Sequence, residues 1–242
     1  MSVITLGGLA GGGARLLGPK LSEKLGADYI DRNIISTIAE ELGESVESIV
    51  AKEEQAPSRS HKLALAIKKI IERSGASWGG DPYFGSGFSH FFSDSYEDLP
   101  DISETNQHDS INDSYIEVIR NTMTNLATEG NVIFLGRGGH VILKDFTNVL
   151  RVGVVAHPED RVQNVMKVDG SDEKNAQIAV KNRDLARINY FKKYFSIDDP
   201  DRPDLYHLTI NTSEVSIDYA LDVIVSALHA LEDGKIVGPL KI

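Results

Sequence analysis

Short apolar runs alternate along this chain with longer stretches whose apolar residues recur at helical spacing. Val3 to Leu6 is a run of the first kind and predicts a buried strand, while Ala14 to Leu25 has the helical period and predicts the helix that this strand feeds. A short strand is expected at Asp28 to Ile30, followed from Asn33 by a helix with Ile34, Ile35, Ile38, Ala39 and Leu42 on one face. Helical patterns follow at Ser45 to Lys52, at Ser60 to Arg73 and across residues 111–128, the last with Ile116, Ile119, Met123 and Leu126 as its apolar stripe. Three further apolar runs, within NVIFLGRGG, NVLRVGVVAHPED and DLYHLTINTS, predict strands. A final helix, Ser216 to Glu232, carries Ile217, Ala220, Leu221, Ile224, Leu228 and Leu231 as a stripe suited to packing on a sheet. Alternation of strand and helix on this scale predicts an α/β fold, a parallel sheet covered on both faces.

Residues 74–107 depart from the pattern. They are rich in Gly, Ser and Asp, hold seven aromatic residues between Trp78 and Tyr96, and show no sustained period. A surface insertion is one reading; a lid or partner surface is the other, because so many aromatics are unusual in a solvated linker. With 242 residues and 41% apolar content the chain can fill one sizeable core, and a single domain over 1–242 is expected. The formal charge of −11, without a Lys/Arg cluster, argues against nucleic acid as a partner. The absence of cysteine excludes disulfides, thiolate catalysis and Cys-ligated metals. No apolar run reaches the ~18 residues of a membrane span and no leader pattern opens the sequence, so a cytoplasmic protein with no membrane partner is expected. The apolar face of residues 60–71, or the aromatic insertion, could bury against a second copy, which makes a homo-oligomer an open expectation.

The chemistry concentrates first in GGLAGGGARLLG, Gly7 to Gly18, where a strand runs through five glycines in seven residues into a helix. Such a loop lets backbone N–H groups approach a phosphate. Three readings compete. In a Walker loop, with Gly8 and Gly13 as its two glycines, Ala14 falls at the lysine and Arg15 at the hydroxyl, so both chemical groups are missing. In a short-chain dehydrogenase turn, Gly7, Gly11 and Gly13 fit and Asp31 follows at a suitable distance for a ribose. Those enzymes use a Tyr-x-x-x-Lys pair, and none of the eight tyrosines has Lys four residues later. In the third reading the glycines merely allow tight packing of strand and helix.

Five ordered segments resemble the cytidylate kinase-like family of the P-loop nucleoside monophosphate kinase group. These are ITLGGLAGGGARLLGPKLSEKLG with YIDRNII, then VIFLGRGGHVIL, VLRVGVVAHPEDRVQNVM, RDLARINYFKKYF and YHLTINTS. The resemblance leaves out residues 74–107. It implies a P-loop NTPase three-layer fold: five parallel strands, helices on both faces, ligands at the carboxyl edge. A helical acceptor region at 43–110 and a lid-like arm at 171–195 complete it. It implies ATP or another NTP as donor, Mg²⁺ as its companion and a small phosphorylated acceptor, plausibly a monophosphate such as CMP.

On the same resemblance, the backbone of Gly11, Gly12, Gly13, Ala14 and Arg15 holds the donor phosphates, with Arg15 supplying charge. Asp31 orients an acceptor hydroxyl or a metal-bound water, or caps the next helix. Arg137 clamps an acceptor phosphate, or pairs with an acidic neighbour. Arg183, Asp184 and Arg187 lie in the lid arm, where Arg183 and Arg187 share a helix face and stabilise the transferring group, or decorate an ordinary charged surface, and Asp184 joins Asp31 and Arg137 in binding the substrate. Arg161 reads as a surface or salt-bridge residue and His140 as structural. Three departures from the family weigh on catalysis. Its Ser-Arg pair is Gly7-Gly8, its glycine before Arg15 is Ala14, and Leu135 ends the third strand where many kinases of the wider group place an acid. A binding or regulatory protein that keeps the fold without efficient catalysis is therefore the second functional expectation.

Overall fold

The computed structural model describes residues 3–31 and 106–236, with backbone alone over 106–115. The helices expected from Asn33, at Ser45 to Lys52 and at Ser60 to Arg73, and the insertion up to residue 105, lie outside the described residues. The chain divides into two compact units, residues 1–32 with 126–242 and residues 33–125. The sheet and the glycine loop belong to the first.

In chain order the elements are β1 Val3–Gly8, α1 Ala14–Leu25, β2 Asp28–Ile30, α2 Asn106–Glu129, β3 Val132–Leu135, α3 Gly139–Ile142, β4 Val149–Val155, α4 Pro158–Asp169, α5 Glu173–Phe195, β5 Leu208–Asn211 and α6 Ile217–Glu232. A 3₁₀ turn at Pro203–Leu205 precedes β5. The five strands form one sheet in the order β2-β3-β1-β4-β5, with every pairing parallel. The chain leaves β1 toward one side of the sheet and later crosses to the other. Strand carboxyl ends beside such a reversal form the crevice where parallel sheets bind ligands.

Alternation along β1 decides which side chain meets which layer. Ile4 and Leu6 join Ile133, Leu150, Val152, Val154 and Ile210 in a cluster closed by Leu17 and Leu21 of α1 and Ala220, Leu221, Ile224 and Leu228 of α6. Thr5 and Gly7 point the other way, Thr5 toward Gly139 of α3 and Gly7 toward Tyr206 and His140. Leu135 packs at the edge of the apolar cluster. Helices α4 and α5 form a hairpin with its own small core of Val165, Ala176 and Val180. Helix α4 was not foreseen from periodicity; its Pro158 at the first turn and acidic Glu159 and Asp160 are ordinary helix-start signals.

Gly8 sits where the chain leaves the sheet with φ at 128°, and a β-carbon there would lie 1.9 Å from the Val154 carbonyl oxygen. That backbone atom cannot move without breaking the β1–β4 register. Gly8→Ala is expected to cost about 3 kcal/mol or more, combining left-handed strain with a backbone collision. Urea denaturation of the variant checks this; a loss below about 1 kcal/mol would contradict it.

Candidate functional site

The glycine loop runs from Leu9 to Gly13 beyond the end of β1, and its shape is set from behind. Arg161 of α4 donates from Nε to the Ala10 carbonyl at 2.7 Å, Asn164 of α4 donates from Nδ2 to the Gly11 carbonyl at 2.9 Å, and Thr212 donates from Oγ1 to the Gly12 carbonyl at 2.8 Å. Asp184 of α5 accepts the Ala10 N–H at 3.1 Å and pairs with Arg161. Three successive carbonyls are therefore tied toward α4 and the β5 end.

In a trans peptide the N–H of the next residue points opposite to the carbonyl, and the described backbone contains no cis bond. The N–H groups of Gly11 and Gly13 consequently aim away from these anchors. That of Gly12 closes a turn on the Leu9 carbonyl at 2.9 Å. Gly11 and Gly13 take left-handed conformations, with φ at 77° and 98°. Gly13 caps α1 with no side-chain bond, so the first-turn N–H groups of Ala14 and Arg15 face outward as at any uncapped helix start. Backbone amides converging in this way beside a helix N-terminus favour an anion. Arg15 stands at that start half-buried, and among the described residues no carboxylate pairs with it.

Parallel register brings further groups to the same edge. Leu6 pairs with Leu135 and Ile30 with Phe134, so Asp31, Arg137 and the glycine loop follow the ends of β2, β3 and β1, three neighbouring strands. Arg137 is buried, 8% exposed, with φ at 49° in the turn that starts α3. Its carbonyl accepts from Tyr190 Oη at 3.3 Å, and its guanidinium lies 5.9 Å from the Tyr190 ring centroid.

The three lid-arm residues separate. Asp184 reaches the loop. Arg183 bonds Asp169 at 2.7 Å across the hairpin, and its Nε is buried without a partner. Arg187, 5% exposed, pairs with Asp201, lies 5.0 Å over the Phe191 ring and donates to Tyr206 Oη at 3.3 Å. Burial raises the Asp201 carboxyl above its ordinary value, and the adjacent Arg187 charge opposes that shift. The geometry thus directs both arginines to carboxylates and brings Asp184 to the glycine loop.

Two residues matter more than their sequence context suggested. Arg161 is buried, 8% exposed, and holds the loop; its spacing within PEDRVQNVM is that of a helix whose inner face meets the loop. His140 is buried beneath Gly7, stacked on Tyr206 at 4.6 Å between centroids. A β-carbon at Gly7 would lie 2.8 Å from Tyr206 Oη and 3.3 Å from His140 Nδ1. The glycine that replaces the family's serine is therefore the space in which Tyr206 and His140 fit. Gly8 likewise answers to Val154, and Leu135 to the apolar cluster, so these departures have packing reasons.

Residues 3–214 match the model of the cytidylate kinase-like family. No curated protein matches the chain. Among solved structures, an uncharacterized protein from Eubacterium ventriosum is 17% identical over 95% of this chain and 98% of its own, with a TM-score of 0.59, a likeness of fold. A Thermus thermophilus protein is 15% identical over 98% of each chain with a TM-score of 0.49. A shikimate kinase from Acinetobacter baumannii, solved with shikimate, is 15% identical over 98% of this chain and 96% of its own with a TM-score of 0.44. The all-parallel five-stranded order is that of the P-loop kinase fold. None of the described helices is long and apolar enough to cross a membrane.

Burial, reinforced by the Arg187 and Arg151 charges, lowers the His140 pKa from 6.5 to about 3. The unfolded chain takes up a proton on His140 below pH 6.5 that the folded chain refuses until about pH 3, so this group makes stability fall with acid across that window. At pH 5 the effect is about 2 kcal/mol relative to neutral pH. Urea denaturation at both pH values should show a smaller acid loss in His140→Gln than in the native chain; equal losses would contradict this.

Proposed function

The chain belongs to the cytidylate kinase-like family, and from that premise we propose that it transfers the terminal phosphoryl group of ATP, or another nucleoside triphosphate, to a small phosphorylated acceptor. A nucleoside monophosphate such as CMP is the acceptor this reading favours. The observation that carries it is the glycine loop, with its carbonyls tied back and the N–H groups of Gly11, Gly13, Ala14 and Arg15 turned outward at the crevice end of β1.

The donor phosphates lie against those N–H groups, and Arg15 adds a fixed positive charge that a Walker loop obtains from lysine. The acceptor lies toward the ends of β3 and β2, where Arg137 holds its phosphate, whose ionised oxygen is the nucleophile, and Asp31 orients a hydroxyl of its sugar. An acceptor oxygen forms a bond to the γ-phosphorus as the bond to the β,γ-bridging oxygen breaks, and the diphosphate leaves with that electron pair. The protein's part is to hold the partners in line and to stabilise charge on the equatorial oxygens.

Mg²⁺ needs several oxygen ligands. Arg15 occupies the position of the Walker hydroxyl, Asp184 is engaged with Arg161 and Ala10, and no group of three metal-ligating side chains occurs among the described residues. The described loop residues do not fit a protein-bound Mg²⁺; a metal ion would arrive on the nucleotide's own phosphates.

A second reading, a nucleotide-binding regulatory protein with weak or no catalysis, draws support from Arg183 and Arg187. Both guanidinium groups are already paired with carboxylates, which leaves less charge for a transition state. Conversion of ATP to ADP with a panel of nucleoside monophosphates separates the two. Acceptor-dependent turnover supports the kinase, ATP binding without turnover supports the regulator, and no nucleotide binding contradicts both. In an active preparation, Arg137→Ala should raise KM for the acceptor about tenfold or more while leaving KM for ATP nearly unchanged. An equal rise in both would contradict the assignment of Arg137 to the acceptor.

A further inference from the structure

The Arg161–Asp184 pair meets Ala10 from two helices at once. Arg161 donates to its carbonyl and Asp184 accepts from its N–H, so both polar groups of one loop residue are held by a single ion pair. The partners lie more than a hundred residues away in sequence, Arg161 buried and Asp184 half-buried, with side chains 9% and 21% exposed. The α4 backbone at Arg161 approaches the loop closely enough to dictate a glycine: a β-carbon on Gly11 would lie 2.4 Å from the Arg161 carbonyl oxygen.

Joining α4 to α5 does not require this pair. The hairpin has its own apolar core in Val165, Ala176 and Val180 and its own ion pair, Arg183–Asp169 at 2.7 Å. What the second ion pair adds is the orientation of two consecutive peptide planes, the one that carries the Ala10 N–H and the one that carries the Gly11 N–H.

We propose that Arg161 and Asp184 are a positioning pair that fixes the glycine loop in its anion-accepting shape and thereby sets its affinity for a phosphate chain, a proposal that rests on the nucleotide-binding reading above. It follows that the α4–α5 hairpin and the loop behave as one piece: displacement of either helix from the loop releases Ala10. A carboxylate takes part without touching the phosphates. Its negative charge is neutralised by Arg161, so it does not repel the ligand that the loop is shaped to receive.

The test uses the full chain labelled with ¹⁵N, calorimetric titration with ATP, and four variants. Asp184→Ala removes both bonds. Asp184→Asn keeps an oxygen for the Ala10 N–H but removes the charge. Arg161→Lys keeps the charge but loses the guanidinium geometry. Lys192→Ala, which breaks only the exposed pair with Asp198 at 3.4 Å, is the control. In the nucleotide-free chain the Ala10 amide proton, deshielded by its carboxylate acceptor, should move upfield in Asp184→Ala and much less in Asp184→Asn. ATP should bind about tenfold more weakly to Asp184→Ala and to Arg161→Lys, with Asp184→Asn between these and the native chain, and Lys192→Ala unchanged.

An unmoved Ala10 amide, or native ATP affinity in a folded Asp184→Ala, overturns the proposal. If Asp184→Ala does not fold, Arg161→Lys and Asp184→Asn decide by the same two readouts. If the native chain binds no ATP, the nucleotide reading fails together with the affinity claim, while the Ala10 amide still decides whether the pair orients the loop.

Discussion

The site depends on one constraint: the carbonyl groups of a five-residue glycine loop are bonded from behind. A free loop of this composition would sample many conformations and lose considerable entropy on ordering around a ligand. Here Arg161, Asn164 and Thr212 each hold one carbonyl, and Asp184 holds one N–H. The ordering cost is met on folding, and the amides that remain converge on the crevice. Trans peptide geometry converts those anchors into the direction of the opposite N–H groups without any further interaction.

The sheet supplies the place for this arrangement. β1 lies between β3 and β4, so the loop that leaves it is flanked by the Arg137 turn on one side and by the start of α4 on the other. The same topology lets α5 serve both flanks. Asp184 and Arg187 lie three residues apart on its inner face, with the adjacent Tyr190 and Phe191 three and four residues further on, and the four meet in turn the Ala10 peptide, the Tyr206 hydroxyl, the Arg137 carbonyl and the His140 ring. Gly7 leaves the room in which Tyr206 and His140 pack. Gly7, which looks like a loss beside the family pattern, is therefore the steric complement of this aromatic layer.

The strands were legible as short apolar runs, and α1 and α6 because their apolar residues repeat at helical spacing; Ala14–Leu25 and Asp28–Ile30 coincide with the expected bounds. The glycine loop between β1 and α1 was legible as a break between an apolar run and a helical period. What could not be read was pairing across long sequence separations. Arg161, 151 residues from Ala10, gives no local signal that distinguishes a loop anchor from a surface charge. Arg183 and Arg187 do have the spacing of a shared helix face, yet their partners, Asp169 at the end of α4 and Asp201 beyond the end of α5, draw the two guanidinium groups apart. Helical spacing fixes where a side chain starts; the charge it meets fixes where it ends.

The central claim is that the backbone of this loop, rather than a lysine, receives the phosphate chain. A crystal structure of the full chain with a non-hydrolysable ATP analogue tests it most directly. Phosphate oxygens are expected within hydrogen-bond distance of the N–H groups of Gly11, Gly13, Ala14 and Arg15, with the Ala10, Gly11 and Gly12 carbonyls still bonded to Arg161, Asn164 and Thr212. Phosphates bound away from the loop, or a loop whose carbonyls have turned to face the ligand, would contradict it.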